Sequence, residues 1–255
     1  MRLPPPETLK GFSRFDQERS GARLPAMEPV LDNPVWHAIT GPQRRLARIA
    51  DGETAGRFEP EVSVFGAVAG LDPSAWAALA SVLDGENVVA LLRPEDVEVP
   101  DGWRTFAAVP CHQYVADELP VAPSVDLVEL GPGDAAEMQA LVELTEPGPF
   151  GPRTHEMGTY LGLRRAGSLV AMAGQRLRLP GHTEISAVCV HPEARREGLG
   201  GTFTLAVAAR IRAAGDEPFL HVRHGNDGAI ELYERLGFRR RRDIIITVVA
   251  PQRPT

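Results

Sequence analysis

The chain has 255 residues and a net charge of −7, with 43% hydrophobic and 24% charged residues. These values are typical of a globular protein of one or two domains. The acidic balance argues against a general nucleic-acid-binding surface, and we expect no membrane span, because no apolar run reaches the required length. Cys111 and Cys189 fit neither a zinc motif nor a disulfide framework, so we expect reduced thiols and a cytoplasmic location.

The first part of the chain begins without hydrophobic periodicity. Residues 1–28 contain three consecutive prolines and scattered charges, and we expect a mobile arm. Residues 29–120 alternate between strand and helix patterns and predict a small N-terminal α/β domain. The predicted elements are a helix from Pro42 with Leu46 and Ile49 facing inward, strands at 62–69, 88–92, 103–109 and 111–115, and a helix at 72–83.

Two prolines near residue 120 mark a linker, so we expect a second domain at residues 121–255. Its signals follow the order β-α-ββ-β-α-β-α-β, which again indicates an α/β fold class. The predicted strands are 126–130, 160–165, 168–178, 183–190, 218–222 and 238–249, and the predicted helices start near Asp134, Leu199 and Asp227.

The stretch from Ala187 to Thr202 joins a β-branched strand to a glycine-rich helix start. Glycines allow a ligand to approach the backbone closely. The start of a helix offers unpaired N–H groups and the positive end of the helix dipole. The stretch therefore predicts an anion site suited to a phosphate or pyrophosphate.

Two blocks of the second half resemble the GNAT superfamily, which transfers acyl groups from acyl-CoA to amines. Arg195-x-x-Gly198-x-Gly200 matches its R/Q-x-x-G-x-G/A signature, and residues 226–238 are similar to its N-x-x-A-x-x-L-Y-x-x-x-G-F element. The resemblance covers roughly residues 125–249. It implies a GNAT-type mixed, mostly antiparallel sheet flanked by helices. The N-terminal domain is then either a degenerate GNAT-like fold or a scaffold that shapes one wall of the cleft.

The resemblance also implies acetyl-CoA as the cosubstrate, without a metal. The backbone of the central strand would pair with the pantetheine arm, and Val188 would offer an N–H to the thioester oxygen. Glu197 departs from the family, because many relatives carry a lysine or arginine there. The implied cofactor-binding residues are Val188, Cys189, Val190, Arg195, Arg196, Glu197, Gly198, Leu199, Gly200, Gly201, Thr202 and Asn226.

Acyl transfer to an amine needs a group that removes a proton from the amine. Simple alternation divides the central strand into one face with Glu184, Ser186, Val188 and Val190, and another with Ile185, Ala187 and Cys189. We predict that Glu184, as a half-buried carboxylate on the thioester side, is the base, directly or through water. The alternatives are a solvated or amine-binding Glu184, with His182 and His191 as rival bases.

The departing thiolate benefits from a proton donor, and the resemblance implies Tyr233 for this role. A purely structural position in the core is the alternative for Tyr233, and helix capping is the alternative for Asn226. The proline- and glycine-rich loop at residues 147–154 is predicted either to line the acceptor site or to be a plain connection. Its candidate substrate contacts are Phe150, Arg153 and Thr154.

Three further patterns carry weaker hypotheses. His221 and His224 have the spacing of a metal pair on a helix but lie on a predicted strand, where residues three apart face opposite ways, so we expect no metal site. The basic run at residues 239–242 is typical of a solvated strand, with contact to the CoA 3′-phosphate as the alternative. A dinucleotide-binding fingerprint fails, because its third glycine would fall at Phe203.

The predicted function is therefore acetyl-CoA-dependent N-acetyl transfer, in which a primary amine attacks the bound thioester directly. A non-catalytic acyl-CoA sensor or scaffold is the alternative. The expected acceptor is a small molecule or a protein amine, with neither nucleic acid nor membrane as a partner. The sequence leaves open the acceptor's identity, the acyl-chain specificity, the role of the N-terminal domain and the choice between monomer and homodimer.

Overall fold

The computed structural model describes residues 29–83 and 88–252, and the predicted arm at 1–28 lies outside these ranges. The described chain forms two sheets. The small sheet contains β1 (Ala47–Ile49), β2 (Ala55–Phe58) and β3 (Gly66–Val68). The large sheet contains β4 (Val89–Arg93), β5 (Trp103–Ala116), β6 (Val128–Leu130), β7 (Tyr160–Arg165), β8 (Ser168–Leu179), β9 (His182–Val190), β10 (Glu217–Arg223) and β11 (Phe238–Pro251).

Helices cover both faces of the large sheet. Those in the described ranges are α1 (Pro34–Ile39), α2 (Pro73–Ser81), α3 (Ala135–Thr145), α4 (Leu199–Ala213) and α5 (Asp227–Arg235). The start of α2 follows its predicted signal, because the Asp72 carboxylate accepts hydrogen bonds from the backbone N–H groups of Ser74 and Ala75. Among these helices, none combines the length and apolarity that crossing a membrane requires.

Two elements of the first part differ from their predictions. The predicted helix from Pro42 is wrong, because α1 ends at Ile39 and residues 47–49 form β1. Gly41 and Pro42 follow a helix here, and proline is common shortly after a helix C-terminus. The predicted strand at 62–69 shortens to β3 at Gly66–Val68.

The two strands predicted on either side of Pro110 form one continuous strand, β5. Proline lacks an N–H and is confined to strand positions where no partner needs one. Pro110 meets this condition, because β10 ends opposite Cys111. The Pro110 carbonyl still accepts a hydrogen bond from the backbone N–H of His224 at 3.0 Å.

The large sheet has the strand order β4-β11-β5-β10-β9-β8-β7-β6. Its neighbouring strands are antiparallel except for β9 and β10, which are parallel. The predicted mixed, mostly antiparallel sheet is therefore confirmed. Because β5 lies between β11 and β10, strands from both sides of residue 120 share this sheet. The division into 29–120 and 121–255 stays a prediction about folding units.

Two different cores cover the faces of the large sheet. On the face called the α4 face, Phe203, Val207 and Ile211 of α4 pack against Ile185 and Leu220. On the opposite face, called the α1 face, α1 and neighbouring residues pack against Leu177 and Phe219, and α3 packs beside them on β8 and β9. The cysteines Cys111 and Cys189 are buried, free thiols.

Candidate active site

The parallel pair at the centre of the large sheet separates soon after it begins. Within the described residues, β9 and β10 pair only at Glu217–His182, Pro218–Thr183 and Phe219–Glu184. Beyond Glu184, β9 keeps its antiparallel partner β8 on one edge, and no strand of residues 29–83 or 88–252 pairs with its other edge. An open strand edge presents backbone N–H and C=O groups to an extended ligand. The gap between β9 and β10 is therefore a site for a chain that can pair like a strand.

A β-bulge at Ala187 lies inside this open stretch of β9. The register with β8 shifts between the pairs Met172–Cys189 and Gly174–Ser186, and Ala187 has a φ of 51°. An extra residue on one strand reverses the alternation that follows it. Val188 and Val190 therefore pack on the α4 face, whereas Ala187 and Cys189 pack on the α3 side.

The bulge overturns one step of the sequence reasoning. Simple alternation along β9 predicts that Glu184 shares a face with Val188 and Val190, and this prediction is wrong. Glu184 precedes the bulge and pairs with Phe219, which lies on the α1 face, so Glu184 is opposite Ile185 and on the side of Ala187 and Cys189. The sequence gives little sign of the bulge, because a non-glycine residue with positive φ is uncommon and alanine is a poor marker for it.

The loop before α4 forms the predicted glycine-rich helix start. Arg196 and Gly198 have φ values of 67° and 77°, and α4 begins at Leu199 without a side-chain cap. The first helical hydrogen bond joins the Thr202 N–H to the Gly198 carbonyl at 3.1 Å. The N–H groups of the first turn are thus available to an anion, together with the positive end of the helix dipole.

Gly200 and Gly201 also allow α4 to approach α5 closely. A Cβ atom on Gly200 would lie 3.3 Å from a methyl group of Leu232, and one on Gly201 would lie 3.5 Å from the other methyl group of Leu232. Such spacing at Gly200 is tighter than an ordinary van der Waals contact. Gly200 therefore allows α4 to pack closely against Leu232 of α5.

The side chains of the loop before α4 turn to protein partners or to solvent. Arg195 donates from Nε to the Val190 carbonyl at 3.3 Å. Glu197 pairs with Arg165 of the β7–β8 hairpin at 2.9 Å, and Arg196 is exposed. Backbone N–H groups, with the Arg196 side chain beside them, are therefore the groups this loop offers to an anion.

Tyr233 lies on α5, which packs against β11 and, through Leu232, against the start of α4. Its ring is 9% exposed and makes an edge contact with Phe238 at 6.1 Å between ring centroids. Its hydroxyl group makes no hydrogen bond to any described residue. Burial, together with the Cys189 thiol, raises the pKa of Tyr233 to about 12, so the phenol keeps its proton at neutral pH. Asn226 caps α5, accepting a hydrogen bond from the Ala229 N–H at 3.4 Å.

Glu184 lies in a buried ion cluster that the sequence reasoning did not anticipate. Arg176 donates from Nε and Nη2 to the two carboxylate oxygens at 2.8 and 2.6 Å. His221 contacts Oε1 through Nδ1 at 2.7 Å. The expected half-buried carboxylate is thus fully buried, with no exposed side-chain surface.

The electrostatics of the cluster keep Glu184 ionised. Burial alone would raise its pKa, but the charge of Arg176 and the hydrogen bonds from Arg176 and His221 outweigh burial and lower the pKa to about 2. A carboxylate with so low a pKa is a weak base near neutral pH. Burial also opposes the charge on Arg176, and Glu184 outweighs it, so that the pKa of Arg176 is raised.

A small cleft of about 10 Å³, enough for about one water molecule, lies beside the bulge of β9. Its lining residues are Pro147, Gly148, Pro149, Phe150, Arg176, Ser186 and Ala187. Of the three predicted substrate contacts, only Phe150 lines this cleft. Arg153 pairs with Glu156 at 2.7 Å, and the buried Thr154 hydroxyl donates to the Val62 carbonyl at 2.6 Å.

Sequence reasoning missed Arg176, the charged residue of the cleft. An arginine between buried residues in the second half of β8 is the signal that could have identified it, because arginine is rarely buried without a partner. The sequence pattern marks His221 only as a candidate metal ligand. Its contact with Glu184 depends on the pairing of β9 with β10.

Comparisons with known proteins match this architecture. The model of the FR47-like protein family matches residues 160–245. A mycothiol acetyltransferase from Thermobispora bispora is 47% identical over 58 residues, which are 22% of this chain and 20% of that protein. This match therefore spans about a fifth of the relative's length.

Two solved structures resemble the chain over most of its length. A protein from Novosphingobium aromaticivorans, assigned to the GNAT family of acetyltransferases, has a TM-score of 0.80 and 38% identity, and the alignment covers 88% of this chain and 99% of that one. A GCN5-related N-acetyltransferase from Kribbella flavida has a TM-score of 0.58 and 18% identity, covering 86% and 95%. The second likeness shows a shared fold alone.

Proposed function

The chain belongs to the GNAT family of acetyltransferases, and we propose that it transfers the acetyl group of acetyl-CoA to a primary amine by direct attack on the thioester. The observation that carries this proposal is the gap between β9 and β10, together with the uncapped start of α4 and the buried Tyr233 on α5. These three features match the three parts of the cosubstrate that must be held: the pantetheine arm, the pyrophosphate and the sulfur.

In this proposal the backbone supplies most of the cosubstrate binding. The pyrophosphate accepts hydrogen bonds from the N–H groups of residues 198–201, and Arg196 adds a positive charge at the exposed side of the loop. The pantetheine amides pair with the open edge of β9. Glu197 has no contact with the cosubstrate, because Arg165 holds its carboxylate.

Tyr233 is proposed to protonate the departing CoA thiolate. A thiolate leaving group has a pKa near 8.5–10, so a phenol that stays protonated at neutral pH can serve as the donor. The Tyr233 hydroxyl makes no hydrogen bond to a described residue, so its proton is available to the CoA sulfur in this proposal.

Glu184 has a different part in this proposal from the one its sequence position suggested. Its buried carboxylate holds Arg176 at the edge of the cleft and does not accept the proton of the amine. The other residues that line the cleft offer no ionisable base. The amine is therefore expected to lose its proton to water, and the rate should rise with pH as the free amine becomes more abundant.

The experiment that tests this proposal measures thiol release from acetyl-CoA in the presence of a panel of amines. The panel contains small polyamines, amino acids, amino sugars and peptides with a free N-terminus or lysine, and mass spectrometry identifies the acetylated product. We expect turnover that depends on the amine and exceeds hydrolysis of acetyl-CoA alone. Tight binding of acetyl-CoA without transfer to any member of the panel would favour a non-catalytic sensor instead.

A further inference from the structure

Two histidines and an aspartate lie close together on the side of the large sheet that α5 covers, away from the Glu184 cluster. His112 belongs to β5, His224 follows the last residue of β10, and Asp243 belongs to β11. These strands are neighbours in the order β10-β5-β11. One ligand atom from each side chain lies within 4.8 Å of the other two.

The contacts within this cluster leave one imidazole incompletely satisfied. His112 Nδ1 lies 2.7 Å from Asp243 Oδ1, whereas His224 Nε2 lies 3.5 Å from the same oxygen. The two rings stack with centroids 3.9 Å apart. His224 Nε2 is a buried atom without a hydrogen-bond partner among the described residues. A buried polar atom of this kind needs a partner, and here it faces two potential metal ligands.

We propose that His112, His224 and Asp243 bind a Zn²⁺ ion, with water in the remaining position. Two imidazole nitrogens and a carboxylate oxygen form a ligand set that suits zinc, whereas Mg²⁺ and Ca²⁺ prefer sets made of oxygen atoms. The site is distinct from the acyl-transfer site and takes no part in the proposed transfer. It joins the end of β10 to β5 and β11, two residues before the Asn226 cap of α5.

Arg240 contacts a proposed zinc ligand and therefore provides a specific test of this site. Its Nη2 atom donates to both Asp243 oxygens at 2.7 and 2.9 Å, and its side chain is about half exposed. A guanidinium group on the ligand carboxylate competes with a cation for the same negative charge. Removing this arginine should therefore strengthen zinc binding, an effect that misfolding cannot imitate.

The test is calorimetric titration of the chelator-treated full chain with Zn²⁺, and with Mg²⁺ for comparison. We expect one zinc ion per chain and no heat from Mg²⁺. His224→Ala and Asp243→Asn should each weaken zinc binding at least about tenfold, whereas Arg240→Ala should strengthen it. His182→Ala, a substitution outside the cluster, serves as the matched control and should leave binding unchanged.

The circular dichroism of each metal-free variant establishes that it is folded before titration. Three results would overturn the proposal: no stoichiometric binding, equal losses in His182→Ala and His224→Ala, or weaker binding in Arg240→Ala. Equal losses would mean that zinc binds adventitiously to surface histidines. Thermal unfolding provides a second readout, because an ion that binds the folded chain raises its Tm further as the free ion concentration increases.

Discussion

At the residue scale, the cluster of Glu184, Arg176 and His221 presents Arg176 to the cleft and keeps the Glu184 carboxylate buried. The carboxylate is fully buried beneath an arginine that lines the cleft, so its charge serves to hold Arg176. Breaking a buried ion pair by removing one partner leaves an uncompensated charge and is strongly destabilising. The cluster should therefore be visible in stability measurements as well as in activity.

Glu184→Gln should destabilise the chain in a pH-dependent way. The pKa of Glu184 is about 2 in the folded chain and 4.5 ordinarily, so the ionised group stabilises the fold above pH 4.5 and loses this contribution as the pH falls toward 2. The difference corresponds to about 3 kcal/mol. Urea denaturation at several pH values should give this gap between wild type and variant at pH 7, and a smaller gap below pH 4.

The exposed Glu98 provides the control for that series, and Glu98→Gln should unfold like wild type at every pH. A gap between wild type and Glu184→Gln that stays constant from pH 7 to pH 3 would contradict the low pKa of Glu184. A negligible gap at pH 7 would mean that the buried pair is not formed.

Tyr233→Phe should separate catalysis from stability. Loss of the proton donor should lower kcat about 100-fold, with little change in KM for acetyl-CoA. Stability should change little, because the Tyr233 hydroxyl has no partner among the described residues. Steady-state thiol release and urea denaturation measure the two effects.

Tyr114→Phe is the matched control for Tyr233→Phe. The Tyr114 hydroxyl donates to Glu234 Oε1 at 2.7 Å, so its removal should cost about 1 kcal/mol of stability and leave kcat nearly unchanged. If Tyr233→Phe retained wild-type turnover, the role of Tyr233 as general acid would be refuted.

At the element scale, the glycine-rich start of α4 and the bulge in β9 shape the two sides of the proposed cosubstrate site. Sequence patterns located α4, α5 and the β7–β8 hairpin well, because each depends on local periodicity and on glycine or cap residues. They failed at Ala187, where the bulge depends on pairing with β8. They also missed the Arg176–Glu184–His221 cluster, whose members lie on three strands and meet only after the sheet has formed.

Gly198→Ala and Gly215→Ala form a matched pair that tests the anion site. Gly198 has a φ of 77° and Gly215 a φ of 89°, and a Cβ atom at either position would meet no atom within 4 Å. Both substitutions should cost about 1 kcal/mol of stability, because alanine is strained at positive φ. Only Gly198→Ala should weaken acetyl-CoA binding, by about tenfold in calorimetry, because only Gly198 positions the N–H groups of the first turn of α4. Equal affinities in the two variants would contradict the proposed pyrophosphate site.

At the scale of the whole molecule, the two halves of the chain share one sheet and one buried face. Gln43 is buried, and its Nε2 atom donates to the carbonyl groups of Met157 and Arg176 at 2.8 and 2.7 Å. Gln113 Nε2 of β5 lies 3.0 Å from His221 Nε2 of β10. Such pairing between distant segments cannot be inferred from local patterns, which is why the sequence suggested a boundary near residue 120.

These contacts predict that the described chain unfolds as one cooperative unit. All three tryptophans, Trp36, Trp76 and Trp103, lie before residue 120, so tryptophan fluorescence reports on the first half alone. Far-UV circular dichroism reports on both halves, including α4 and α5. The two urea transitions should coincide. Separate midpoints would instead support the predicted division into independent folding units.

The central claim is that acetyl-CoA binds along the open edge of β9 and at the start of α4. Backbone hydrogen exchange with and without saturating CoA measures this directly, because both contacts involve backbone N–H groups. We expect CoA to slow exchange in peptides that cover residues 185–190 and 198–202, with little change in β6 or in the small sheet. Unchanged exchange in both of these segments, with protection elsewhere, would contradict the account.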